Sequence, residues 1–242
     1  MQNRDRNVPQ RGAVTVTVKD RNGNVVDQRR VKNMIVSGGR ALVANLFRGF
    51  EKRAVSHLAL GSGKKEVEAK DANLTSELKP RRPFDSNEFE DEKTAWCSIS
   101  DAKGNECVRA TSLIRGGEGN TIAIKLKKEK KKGMTIMLTK GEINEVFEDV
   151  ASAKDVRSNL VLLEQVRENV PEMDTDWVNL KGGSDPVVVM SATFGYQDCN
   201  GKICEAGLFN APEGGVMYNR VVFPEIVKTS DLTLTMVWRI TF

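Results

Sequence analysis

Histidine is almost missing from this chain. His57 is the one histidine in 242 residues, so a His-based triad has one place to be built and a multi-histidine metal site has none. Long hydrophobic runs are missing as well. No stretch approaches the roughly 20 uncharged apolar residues that a membrane helix needs, and the opening MQNRDRNVPQRG lacks the apolar centre of a secretory signal. A soluble protein that stays where it is made, or leaves by lysis, is the expectation, with no membrane partner. Charge is nearly balanced: 37 Lys+Arg against 33 Asp+Glu give +4 and a pI near 8.8, too small an excess to call for a nucleic-acid partner by itself. With 39% hydrophobic residues and seven prolines, the chain has enough apolar material to bury a core and is not a disordered one. Its length suits one large domain or two small ones.

The four cysteines, Cys97, Cys107, Cys199 and Cys204, include no C-x-x-C pair, which removes a zinc ribbon. Cys199 and Cys204 flank an Asn200-Gly201 turn. With a two-residue hairpin loop they would be diagonal neighbours, ~7–8 Å apart and too far for an unstrained bridge. A four-residue loop would set them opposite each other. Buried free thiols in a reducing cytoplasm are the expected state.

Periodicity reads mainly as strand. Val14, Val16 and Val18 alternate with Thr15, Thr17 and Lys19, Asp20 to Asn24 supplies an Asn-Gly turn, and Val25-Val26 and Val31 return the chain as a hairpin. Ser37-Gly38-Gly39-Arg40 opens a short buried helix through Phe47, with Ser37 as cap and Gly49 as stop. His57 to Gly61 reads as a strand running into a glycine turn, and Lys79-Pro80-Arg81-Arg82-Pro83 as a boundary. Beyond it, Thr94–Ser100 with Cys107–Ile114, and Thr121–Leu126 with Met134–Leu138, read as strand pairs. Ser152 with Asp155 resembles a capping box before a helix from Ala153 to about Asn169, striped by Val156, Leu160, Leu163 and Val166. The closing residues return to strand, and Leu232, Leu234, Met236, Trp238 and Ile240 alternate strictly with Thr233, Thr235, Val237, Arg239 and Thr241.

No constellation survives as a catalytic or cofactor site. Gly61-Ser62-Gly63-Lys64-Lys65 misses both ends of a phosphate loop, having Leu58 and Lys65 where Gly and Ser/Thr belong. Ser56 beside His57 has no G-x-S-x-G elbow around it, and His57 among Val55, Leu58 and Leu60 reads as a structural histidine. Asp91-Glu92 and Asp174/Asp176 lie in polar stretches where solvation accounts for them. The run from Lys125 to Lys132 carries six lysines against Glu129. It lacks the aromatics that stack bases, and reads as a solvated hairpin tip.

The two ends of the chain resemble small bacteriophage tail and baseplate proteins. Residues 31–42, Val-Lys-Asn-Met-Ile-Val-Ser-Gly-Gly-Arg-Ala-Leu, are similar to that family's opening, and His57–Gly63 to its "I-A-hydrophobic-G-T/S-G" element. A segment like Leu74–Leu78 followed by an arginine, here Arg81 or Arg82, comes next. The closing block, residues 201–210 and then Met217 to Pro224, is the most specific match, and Ile226–Thr229 with Leu232–Phe242 is similar too. The matches span roughly residues 12–82 and 187–242 in family order, and residues 83–186 intervene without a family motif.

The resemblance implies a non-enzymatic structural part of a virion tail, in the baseplate or at the fibre attachment site, assembled in the host cytoplasm. Its partners would be other tail proteins and copies of itself, with no cofactor, metal or small-molecule substrate. The expected fold is mainly β. Residues 1–82 and 187–242 form a β-sandwich-like core with the short N-terminal helix, and 83–186 form an inserted α+β module that contacts partners. Lys127, Lys128, Lys130, Lys131 and Lys132 are its first candidate contacts. A virion released into oxidising surroundings could also close Cys199 to Cys204 late. A neck, collar or capsid-decoration protein is the first alternative, and a nucleic-acid-binding module using residues 125–132 is the alternative from another class.

Overall fold

The computed structural model describes residues 11–242. They divide into two compact units, one formed by the residues up to Glu90 together with Val187–Phe242, the other by Asp91–Pro186. The first part of the chain contains β1 (Arg11–Lys19), β2 (Val25–Ile35), α1 (Ser37–Phe47), β3 (His57–Gly61), β4 (Arg82–Pro83) and β5 (Ser86–Glu90). The second unit contains β6 (Trp96–Ser100), β7 (Glu106–Ser112), β8 (Ala123–Lys128), β9 (Met134–Lys140), β10 (Ile143–Val150), β11 (Val161–Gln165), β12 (Met173–Asp174) and β13 (Val178–Asn179). The chain then returns to the first unit with β14 (Val187–Phe194), β15 (Gly201–Phe209), β16 (Met217–Lys228) and β17 (Thr233–Thr241). The protein is mainly β.

In the first unit nine strands follow the order β4-β3-β15-β16-β2-β1-β17-β14-β5. The β1–β2 hairpin forms where its turn chemistry dictates: Asp20 Oδ1 accepts the Asn22 and Asn24 amides, each at 2.9 Å, and Gly23 takes φ of +84°, which costs a glycine nothing. The alternating strands β1 and β17 pair along their whole length. They turn Val14, Val16, Val18, Leu234, Met236 and Trp238 into one buried core, as a period of two requires. Two interruptions give the sheet its form. The two halves of the path pair at β16 and β2 through two registered pairs, Asn219↔Ile35 and Arg220↔Met34. At the other side, β4 and β5 are consecutive in the chain, separated by Phe84 and Asp85. The Phe84 amide donates to Ser56 O (3.2 Å) and the Asp85 amide to Ser191 O (2.8 Å). One length of chain therefore continues the ladder beside β3 and then the ladder beside β14, and the sheet curls until its two sides are joined by consecutive strands. Where a sandwich-like domain is expected, the strands make one continuous curled path.

Two local expectations in this unit are corrected. Asn200-Gly201 does not turn a hairpin: β14 pairs with β17 and β5, whereas β15 pairs with β16 and β3. The loop between them carries the chain from one half of the sheet to the other. Ser37 is the first helical residue and makes no cap; Val36 holds the cap position, and the Ser37 amide bonds Ala69 O at 2.7 Å. Gly49 does stop the helix, at φ of +72°. The helix is less buried than its apolar pairs suggest, since Leu42 is inside and Phe47 is 90% exposed. Gly39 explains the Gly-Gly pair, because a Cβ there would stand 1.9 Å from Tyr218 O, whereas one at Gly38 would meet Met217 O at 3.5 Å. Only the second glycine lets helix and strand approach.

The second unit holds a three-stranded sheet, β11-β7-β6, and a sheet in the order β10-β9-β8-β12 with β13 also on β8. Both expected hairpins form. Around Lys103-Gly104-Asn105, Asp101 repeats the arrangement of Asp20, accepting the Lys103 and Asn105 amides at 2.9 Å each. The expected helix from Ala153 to Asn169 does not form. A short 3₁₀ turn spans Ala153–Asp155, and Val161–Gln165 is the strand β11, paired with β7. Its burial alternates, Val161 and Leu163 inside and Leu162 and Glu164 outside. Val156, Leu160, Leu163 and Val166 fit a helical stripe, but the intervening residues fit a strand equally well, and the free edge of β7 decides the matter. Ser152 caps nothing: its hydroxyl and the Ala153 amide both bond Gln165 Oε1 (3.0 and 2.9 Å). Among the described residues this unit has β-strands and 3₁₀ turns and no α-helix, so the α+β expectation for 83–186 is corrected to β.

Candidate functional site

Four of the chain segments that carry the sequence resemblance, through Gly63, Thr75-Ser76, Glu205 and Arg220, meet at one buried ion pair. On β15, Glu205 interrupts an otherwise uncharged run from Ile203 to Phe209, and on β16 Arg220 does the same from Met217 to Phe223. Both side chains are completely buried. Arg220 Nε and Nη2 donate to Glu205 Oε2 at 2.9 and 2.7 Å. Nη1 donates to Asp71 Oδ2 at 2.7 Å, and Nη2 also reaches Thr75 Oγ1 at 2.8 Å and Lys65 O at 3.0 Å. Glu205 in turn accepts the amides of Gly63, Thr75 and Ser76 at 3.0, 3.1 and 2.8 Å. The glycine turn thus closes on a carboxylate of its own chain, using the amide-cradle geometry that elsewhere holds phosphate. Gly61 and Gly63 are glycines because a Cβ at either would collide with Glu205. Buried charges persist when paired and fully hydrogen-bonded, and this node ties the loop 62–77 to the sheet.

Two further buried cations hold loops in the same way. Arg81, not Arg82, is the inward arginine. It binds both Glu77 oxygens at 2.8 Å each, takes Ala211 O and Gly214 O at 3.1 and 2.7 Å, and lies 3.6 Å over the Phe209 ring. Lys228 Nζ reaches Gly195 O at 2.6 Å and Asn200 Oδ1 at 2.9 Å, fixing the loop between β14 and β15, and burial pushes its ammonium below the ordinary value. Sequence alone gives one signal for Glu205 and Arg220, a lone charge inside an apolar strand, and that signal marks burial without naming the partner.

The lysines of the β8–β9 hairpin are brought together, but largely with acids. Lys127 and Lys132 each meet Glu129 at 2.7 Å, Lys125 meets Asp174 at 3.1 Å, and the Lys128 ammonium caps Lys132 O. Lys130 and Lys131 are exposed and make no ion pair among the described residues; Lys131 sits at φ of +61°. Converting both to Glu is expected to change unfolding free energy by no more than about 0.5 kcal/mol, measured by urea titration, so an effect on partner binding would report contact and not folding.

Cys199 and Cys204 stand in different surroundings. Cys199 belongs to the main core, its thiol 3.5 Å from Pro80 O, whereas the Cys204 thiol, raised chiefly by burial, also feels the charges of Lys64, Glu225 and Lys202. All four thiols are free and buried. Burial pushes Cys97 and Cys199 up to about 11, so neither should react with iodoacetamide at neutral pH until the chain unfolds. Rapid labelling of the native protein at Cys199, read by peptide mass spectrometry, would contradict this. Ser56 Oγ does lie 2.9 Å from His57 Nδ1, but among the described residues no carboxylate bonds the ring to orient it, and burial followed by the nearby Arg81 holds the imidazole below its ordinary value. Among the described residues no three His, Cys, Asp or Glu side chains gather as a metal ion would need, and no helix is long and apolar enough to cross a membrane.

No protein-family model matches the chain, and no curated protein matches it. Among solved structures the chain is similar to a sheath tail protein from Listeria innocua, with a TM-score of 0.32 and 20% identity, covering 39% of this chain and 21% of that one. The chain thus spans about a fifth of that protein, and a likeness at this level carries no argument about fold or function.

Proposed function

We propose that this protein is a non-enzymatic structural component of a phage tail, or of a phage-like contractile particle, in the baseplate or at the fibre attachment site. One observation carries the reading beside the sequence resemblance. The charged groups of the motif-bearing segments, Glu205, Arg220, Arg81 and Glu77, are spent on holding the chain's own loops, which is the economy of a scaffold. On this reading the chain works without cofactor or substrate. It contacts other tail proteins and copies of itself, is located in the virion tail and is assembled in the host cytoplasm. The unit Asp91–Pro186 would supply partner-specific contacts, Lys130 and Lys131 being exposed lysines of the hairpin with no ion pair among the described residues. Pairing of Lys125, Lys127 and Lys132 with Asp174 and Glu129 weighs against the nucleic-acid alternative, whose affinity would come from free cations.

Immunogold electron microscopy of particles from the source culture, with antibody raised against the purified chain, tests this. Gold at the distal tail end is expected. Gold at the neck or head would move the assignment to a collar or decoration protein, and no labelling of intact or disrupted particles would overturn the virion role.

A further inference from the structure

Of the charged and apolar features outside the buried nodes, one face of the curled sheet stands out by its ordering. The strands β2, β1, β17, β14 and β5 pair in register, and one side of them is the core. On the other side, one row reads Lys32, Ala13, Arg239, Val189, Glu88, and the next reads Arg30, Thr15, Val237, Ser191, Ser86. A third row adds Thr17, Thr235 and Thr193, locked flat by a Thr193–Thr235 hydroxyl bond of 3.0 Å and by Gln28 on Thr17 at 3.3 Å. The middle strands of this half-exposed face therefore show hydroxyls and small aliphatic groups. Their one charge in these rows, Arg239, is neutralised by Glu90 at 2.6 and 3.0 Å. The charges are sorted to the margins. Arg30 and Lys32 line the β2 side, exposed and without an ion pair among the described residues, and Glu88 lines the β5 side in the same condition.

A face depleted of charge at its centre is the composition of an interface core, and opposite charges on opposite margins make it complementary to itself. We infer that this face docks on the same face of a second copy of the chain, about a two-fold axis running along the strands. That axis exchanges the β2 and β5 margins, so Arg30 and Lys32 of each copy stand over Glu88 of the other. It also keeps the strands of the two sheets aligned, the usual way for sheets to stack, and makes the contact isologous and closed. A uniformly acidic or basic partner would be attracted at one margin and repelled at the other. The inference deepens the part of the proposed reading in which copies of the chain meet. It is tested on the isolated chain, so its failure leaves the particle-labelling result standing.

The experiment is sedimentation equilibrium of the full chain and two charge variants, alone and mixed. The wild type should double in mass with concentration. Arg30→Glu with Lys32→Glu makes both margins acidic, and Glu88→Lys makes both basic, so each variant alone should self-associate roughly tenfold more weakly or worse. An equimolar mixture of the two variants should recover dimer, because every margin then meets its opposite. Val237→Lys, at the centre of the face, should abolish association, and circular dichroism should show every variant folded. A wild type that stays monomeric, single variants that dimerise as the wild type does, or a mixture that stays monomeric would each overturn the inference.

Discussion

Arg220→Met is expected to lower the unfolding free energy of the sheet unit by about 3–5 kcal/mol, because it strands Glu205 in the interior without its cation. The side chain is wholly buried and holds two acids at 2.7 Å, and Glu205 is as fully buried, so solvent cannot take its place. A loss of that size is a large fraction of the ~5–15 kcal/mol that stabilises a domain, and urea denaturation should show it directly. Apolar replacement of both partners often rescues a buried ion pair, but Glu205→Leu with Arg220→Met should not recover here. Glu205 also satisfies the amides of Gly63, Thr75 and Ser76, and each orphaned amide costs about 1–3 kcal/mol. The node should also weaken in acid. Burial alone would push the Asp71 carboxyl up, yet the Glu68 amide and the Arg220 guanidinium hold it below its ordinary 3.8. A carboxylate with a depressed value in the folded state adds stability above its unfolded value and loses it as pH falls through the folded one. An Arg220→Met variant within 1 kcal/mol of the wild type would show that the node is not what ties loop 62–77 down.

Gly39→Ala should cost about 3 kcal/mol, at the upper end for overpacking, while Gly38→Ala one residue earlier should be neutral or gain up to about 1 kcal/mol from helix propensity. The two substitutions add the same methyl group to the same helix. At Gly39 it would stand 1.9 Å from Tyr218 O and 2.6 Å from Tyr218 C. That backbone cannot yield, because β16 is paired with β15 on one side and with β2 at Asn219 and Arg220. At Gly38 the nearest atom is 3.5 Å away, an ordinary contact. Equal midpoints for the two variants would mean that α1 can slide off the sheet at little cost.

Sequence alone determined the parts whose cause is local. Asp20 and Asp101, each followed four residues on by an Asn that comes directly after a glycine, dictate two hairpins, since the carboxylate binds amides within four residues. Strict alternation in β1 and β17 dictates which face of each strand is buried, and the lone glycine at 49 dictates where α1 stops. The mainly-β class follows from these.

What only the tertiary structure decided is who sits beside whom. Periodicity reports which side of a strand is wet and carries no information about its neighbour, so β14 and β15, joined by an apparent hairpin turn, separate into different halves of the sheet. Residues 161–165 fit a helix and a strand equally well by pattern, and the unpaired edge of β7 made them a strand. Glu205 and Arg220 announced only that a charge lay in an apolar strand. That the two meet, that a glycine turn closes over them, and that Phe84-Asp85 joins the two sides of the sheet all depend on long-range pairing, because a hydrogen bond between distant strands leaves no mark on the residues next to it in the chain.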